Sequence, residues 1–275
     1  MSELFKTVLT LSIFGFGITA ILLCLKPITV KKFPASWQYY AWIAVLISML
    51  VPVYKLIPTK EVQKIPIIPK SDVINEMPLQ ESGEPLQSGI VEDTPVLYRE
   101  VNITSGAHIQ LFDLLAYIWF FGMCIYLIVV IGSYAVYTVR KRKNAVTVPE
   151  NEIFGEAKRE LSVKRHIKIR MSQDFESPML VGVLFPVIYI PCREICDENM
   201  RMIFLHELTH YKRKDLALKW FALLVNAVHW FNPLAYLLCA NVSEACEVSC
   251  DMTVTKNMSD SEQKSYMKTI LDLAG

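Results

Sequence analysis

Apolar and polar positions divide the chain into an oily first half and a patterned second half. Thr7 to Leu25 carries no charge and is long enough to cross a bilayer as a helix, which takes roughly 20 residues. Lys26, Lys31 and Lys32 follow it where a signal peptide would have a small-residue cleavage site, so the run is read as a retained span. Trp37 to Tyr54, with aromatic residues clustered at its start, predicts a second span, and Leu114 to Val139 a third, long enough to tilt. Leu216 to Ala240 is equally apolar but differs in kind. It contains Lys219, Asn226, His229 and Asn232, which are costly against lipid, and Pro233 breaks it, because the residue before a proline avoids the helical region. Residues 216–240 are therefore expected to form a re-entrant or interfacial helical hairpin.

The remaining patterning is that of a folded domain. Residues 150–165 have helical spacing, whereas His166 to Met171 alternates like a half-buried strand. Residues 177–182 and 187–191 predict two more short strands. Asp197 is a suitable N-cap for a helix through Phe204 and Leu208 to Lys214, and Ser259 with Glu262 forms a capping box that opens a last helix. The expected fold is a mainly α membrane protein with three transmembrane helices, the helical hairpin, and a cytoplasmic α+β domain with a small sheet. The boundaries are 1–57 for the first two spans and their short loop, 58–110 for an extracellular loop, 111–139 for the third span and 140–275 for the cytoplasmic domain.

Charge sets the orientation. The loop from Lys26 to Ser36 has three lysines and no acid, and Arg140 to Lys143 directly follow the third span, which puts both on the cytoplasmic side. The N-terminus and the loop 58–110, rich in Pro and Glu, are then outside. Lys+Arg 28 and Asp+Glu 27 nearly cancel, which excludes direct nucleic-acid binding through bulk charge. Seven cysteines, none in a C-x-x-C pair, do not form a disulfide framework and are read as reduced thiols.

The chemistry concentrates in His206-Glu207-Leu208-Thr209-His210. Two histidines at i and i+4 on one helix face can reach a single Zn²⁺, with the intervening Glu207 placed as general base toward a zinc-activated water. A catalytic site needs a third protein ligand. Glu247 and Asp251 are again four apart, and Glu244 is a rival carboxylate without an acid at that spacing. Cys246 and Cys250 flank the same stretch and are set aside as ligands. His229 is either a satisfied buried histidine or a donor to the oxyanion of a tetrahedral intermediate. Ser265 to Lys268 matches S-x-x-K by pattern, but too little chain follows to complete a penicillin-binding fold.

The Glu247 and Asp251 pair is similar to that of the thermolysin-like, glutamate-liganded zinc peptidases, where the Glu binds metal and the Asp orients a liganding histidine. The blocks His206 to Asp215, His229 to Leu234 and Glu247 to Asp251, with the three-span start, resemble the BlaR/MecR antirepressor family of integral-membrane metallopeptidases. That resemblance implies a membrane-embedded zinc endopeptidase in beta-lactam signalling. Its substrate would be a cytoplasmic repressor protein, self-cleavage is a further expectation, and homo-oligomerisation is left open. In the full-length sensors of that family a penicillin-binding domain follows outside the membrane. Two alternatives stand beside it. One is a Ste24/HtpX-like quality-control or prenyl-protein peptidase. The other is a non-proteolytic signalling scaffold with a structural zinc, against which an intact Glu207 speaks.

Overall fold

The computed structural model describes residues 1–52 and 106–274. The expected loop 58–110 falls outside the described residues up to Ser105. Helix α1 (Ser2–Lys32) and helix α3 (Gly106–Lys143) are long enough, and α1 and residues 111–143 apolar enough, to cross a membrane. Their large apolar side chains point outward, with Ile13 66% and Ile128 71% exposed, which a lipid phase tolerates and water does not.

The second expected span is shorter than its apolar run. Helix α2 (Ala35–Leu50) has 16 residues and ends because Pro52 forces Val51 into an extended conformation, φ −98° and ψ 118°. Its Trp42, Val45, Leu46 and Met49 are buried against the later helices α6 (Asp215–Val228) and α7 (Pro233–Thr255).

Helices α6 and α7 form a hairpin. The chain turns at His229 to Asn232; the Asn232 side chain caps α7 by accepting from the Leu234 N–H at 3.0 Å, and Pro233 occupies the first turn, where its missing N–H costs nothing. The tip is fixed against the first three helices. Trp119 of α3 donates to the Val228 carbonyl at 2.8 Å, Asn232 reaches Ser12 Oγ of α1 at 2.9 Å, and His229 Nε2 lies 3.0 Å from the Met49 carbonyl. Gly122 is needed here, since a Cβ would sit 2.4 Å from the Trp230 ring. The second arm is longer than the hydropathy suggested: α7 continues unbroken to Thr255 and carries Glu247 and Asp251.

After α3 come β1 (Val146–Val148), α4 (Glu152–Glu160), β2 (Lys168–Ser172), β3 (Met179–Val181), β4 (Val187–Pro191), α5 (Asp197–Arg213), and, past the hairpin, α8 (Asp260–Ala274). The strands form one mixed sheet in the order β1-β2-β4-β3, with β2 and β4 parallel and the other pairs antiparallel. β1, three residues long, has no pattern that sequence reading could use. Phe154, Ile167, Ile188, Phe204 and Leu208 form the fully buried core joining α4, the sheet and α5. Each such side chain contributes about 1.5–3 kcal/mol. Cys196, not Asp197, is the N-cap of α5, and Asp197 opens its first turn.

Gly122→Ala should destabilise the protein by about 1–3 kcal/mol by overpacking against Trp230. Gly132→Ala, where nothing lies within 4 Å, should not. Thermal melting of both purified variants distinguishes them, and equal melting temperatures would mean that the α3–hairpin contact is not tight.

Candidate metal centre and its cleft

Helix α5 buries the whole run from Met202 to His210. The helical repeat stacks His206 and His210, whose ring centroids are 4.6 Å apart, so that their Nε2 atoms lie 3.0 Å from each other. Glu247 Oε2, brought in by α7, is 3.2 Å from His210 Nε2 and 3.6 Å from His206 Nε2. Four ligands at about 2.0–2.1 Å around a tetrahedral ion stand about 3.3 Å apart, so these three atoms have a spacing that fits one metal ion.

The far side of each ring is also held. His206 Nδ1 is 2.7 Å from Tyr266 Oη and 3.2 Å from Asp251 Oδ1, and the Tyr266 hydroxyl donates to that same Asp251 oxygen at 2.7 Å. His210 Nδ1 is 2.8 Å from Asp215 Oδ2. A proton on each Nδ1, shared with a carboxylate, fixes the tautomer that leaves Nε2 free to coordinate. Burial opposes a charge on either ring. The hydrogen bonds, led by Asp251 for His206 and by Asp215 for His210, outweigh it and raise both pKa values, that of His210 to about 11.

Asp215 reaches His210 because Lys214 adopts a left-handed conformation, φ 61°, that ends α5 and starts α6 in one step. The Asp215 side chain is 1% exposed and accepts from three groups: His210, Arg213 Nε at 3.1 Å, and the Tyr39 hydroxyl of α2 at 3.2 Å. Arg213 lies over the Tyr39 ring, 4.5 Å from its centroid, and donates to Ser249 Oγ of α7 at 2.7 Å. Lys219 of α6 donates to Glu247 Oε1 at 2.8 Å, which leaves Oε2 for the histidines. Burial would raise the Glu247 pKa, but the adjacent His206 and His210 rings and the Lys219 ammonium lower it well below the carboxylate range.

Glu207 lies beside these atoms without joining them. It is 7% exposed, and burial pushes its carboxyl up while the nearby Leu180 backbone works against this. Leu180 belongs to β3, which among the described residues is an edge strand paired with β4. β3, His206, Glu207, His210 and Glu247 line a cleft of about 370 Å³, together with Tyr134 and Tyr137 of α3.

The other sequence candidates lie elsewhere. His229 is fully buried at the hairpin tip against Met49 and does not line the cleft. Glu244 accepts from Lys26 at 2.6 Å. Cys250 is closer: with His206 and His210 it forms a group that could hold a metal ion. Its Sγ is 3.9 Å from His206 Nδ1, on the side of the ring that Asp251 and Tyr266 occupy. Asp215, Tyr266, Lys219, Tyr39 and Arg213 were not identified from the sequence as parts of a site. Asp215 and Arg213 fall within the block His206 to Asp215 that carries the family resemblance, and Lys219 and Tyr39 were read only as a lysine costly against lipid and as part of an aromatic cluster.

The family described as BlaR1 peptidase M56 matches residues 6–275. The regulatory protein BlaR1 of Bacillus licheniformis is 29% identical over 160 residues, which is 56% of this chain and 26% of that protein. The methicillin resistance mecR1 protein of Staphylococcus aureus (strain Mu50) is 26% identical over 274 residues, 96% of this chain and 45% of the relative. The regulatory protein BlaR1 of Staphylococcus aureus is 24% identical with the same two coverages. The chain spans less than half the length of these relatives.

Asp215→Asn and Asp251→Ala should each weaken metal retention by roughly 10–100-fold, as loss of a carboxylate behind a ligand does. Tyr39→Phe, which leaves Asp215 in place, should weaken it less. Titration against a chromophoric chelator measures all three. Wild-type affinity in Asp215→Asn would mean that His210 is oriented by something else.

Proposed function

The chain belongs to the BlaR1 peptidase M56 family, and from that premise we propose that it is a membrane-embedded zinc endopeptidase of a signal-transduction pathway. In this reading it cleaves a cytoplasmic transcriptional repressor, and itself, to induce beta-lactam resistance genes. The names of the relatives, regulatory protein BlaR1 and methicillin resistance mecR1 protein, support the pathway. The observation that carries the chemistry is the convergence of His206 Nε2, His210 Nε2 and Glu247 Oε2 within 3.0–3.6 Å, beside a buried Glu207 that none of them uses.

His206, His210 and Glu247 would hold the zinc, with Asp251 and Asp215 orienting the two imidazoles. When bound, zinc supplies a Lewis acid and a water acidified to a pKa of roughly 7. Glu207 accepts the proton of the attacking water and passes it to the leaving amine. Its buried position favours this, because burial raises the carboxyl toward the working pH. The free edge of β3 offers backbone donors and acceptors to an extended peptide, which adds to the sheet next to Glu207.

For membrane topology we propose that the N-terminus lies outside, that α1, α2 and α3 cross the bilayer, and that α6–α7 enters from the cytoplasmic face and returns. His206 and His210 precede that hairpin and Glu247 lies on its returning arm, so ligands that meet at one ion require both ends of the hairpin on one side. The contacts of the tip with Ser12, Met49 and Trp119 favour deep insertion.

Glu207→Gln should abolish cleavage of a co-expressed repressor while about one zinc per chain remains bound. Unchanged cleavage, or loss of the zinc, would overturn the role given to Glu207. For topology, single cysteines at 212–215 and 255–258, on a background without native thiols, should be shielded from an impermeant reagent in intact cells. Both should label once the inner face is exposed. Labelling of 255–258 from outside would make the hairpin a true crossing and end the shared-site account.

A further inference from the structure

The cleft at Glu207 does not end at the candidate metal centre. Past Leu180, His210 and Leu216, which line both, it opens into a second hollow of about 660 Å³. Four elements wall this hollow: the loop between α4 and β2, the end of α5, the start of α6, and β3 with the turn after it. Lys164 and Arg165 come from the loop, Lys212 from α5 and Lys214 from the α5–α6 turn, and no acidic residue lines it. All four basic side chains are exposed. Among the described residues none of the four is in an ion pair, whereas Lys158, Arg201, Arg213 and Lys219 of the same region are each in one. Lys212 and Lys214 also suit the negative end of α5. Lys164 and Arg165 belong to another element and still face the same space, so helix complementarity does not account for the whole lining.

We propose that this hollow is a specificity subsite for acidic side chains of the peptide substrate, an inference that rests on the peptidase reading above. Its continuity with the cleft favours a peptide occupant. β3 leads from one space to the other: Leu180 lines the cleft with Glu207, and Gly182 and Val183 line the basic hollow two and three residues further on. A peptide added to the β3 edge advances about 3.3 Å per residue alongside it. Its side chains therefore enter the hollow about two to four residues from the scissile bond, on one side only. Gly182, at φ +91°, turns the strand away at this point, and a Cβ there would meet the Phe185 carbonyl at 2.4 Å, so the end wall of the hollow is backbone.

The test is cleavage-site profiling of a degenerate peptide library by the zinc-loaded full chain in nanodiscs. Asp and Glu should be enriched about two to four residues to one side of the cut. An acidic peptide should have a kcat/KM roughly three- to tenfold above its amide counterpart, carried mostly by KM and reduced by salt, as two exposed ion pairs allow. Lys164→Glu with Arg165→Glu should shift the preference to Lys and Arg while neutral peptides are still cut. Cleavage without acidic enrichment, or a preference that the double reversal leaves unchanged, overturns the subsite and leaves the peptidase reading intact. A response to the phosphatidylglycerol content of the nanodisc in place of peptide charge overturns it in favour of a lipid headgroup. If no peptide is cut, the peptidase reading fails and binding decides the subsite. Fluorescence anisotropy should then show the acidic peptide bound more tightly than its amide counterpart, and the difference lost in the double reversal; equal binding overturns it.

Discussion

Two imidazole nitrogens and a carboxylate oxygen face one another across 3.0–3.6 Å in a largely buried space. Polar atoms so placed are tolerated only when each has a partner, and the surrounding chain is arranged to provide them. Behind His206 stand Asp251 and Tyr266, behind His210 stands Asp215, and behind Glu247 stands Lys219. The groups come from α5, α6, α7 and α8, so the centre requires all four helices to meet at one point. The α6–α7 hairpin achieves this by going out and coming back, and its buried His229 and Asn232 serve the tip of that excursion.

The same network ties the centre to α2. Asp215 accepts from His210 on one side and from Tyr39 of α2 on the other, and Arg213 links Asp215, the Tyr39 ring and Ser249 of α7. The contact between α2 and the centre is therefore a short run of hydrogen bonds around one buried carboxylate, reinforced by the apolar cluster of Trp42, Leu46, Val225 and Leu238. A shift of α2 along α7 would strain the orientation of His210, a direct physical route from α2 to the site.

Much of this was legible in the sequence because it repeats with a simple period. Helical spacing put His206 with His210 and Glu247 with Asp251, alternation marked β2, and Pro233 marked the hairpin turn. The structure brings His206, His210, Glu247 and Asp251 to one place and leaves Glu244 and His229 elsewhere. What could not be read depended on tertiary contact. Tyr266 lies 60 residues from His206, and nothing in a lone tyrosine on an amphipathic helix announces a partner. Asp215 needed the left-handed Lys214, which residue type alone does not foretell. Hydropathy overran the end of α2 because it does not register the effect of Pro52 on the residue before it.

The central claim is that the metal sits among His206 Nε2, His210 Nε2 and Glu247 Oε2, with Cys250 outside the coordination sphere despite its closeness to His206. X-ray absorption at the zinc edge of the metal-loaded protein addresses it directly. The account predicts nitrogen and oxygen neighbours alone at about 2.0–2.2 Å. A sulfur neighbour at about 2.3 Å would put Cys250 on the metal and contradict it.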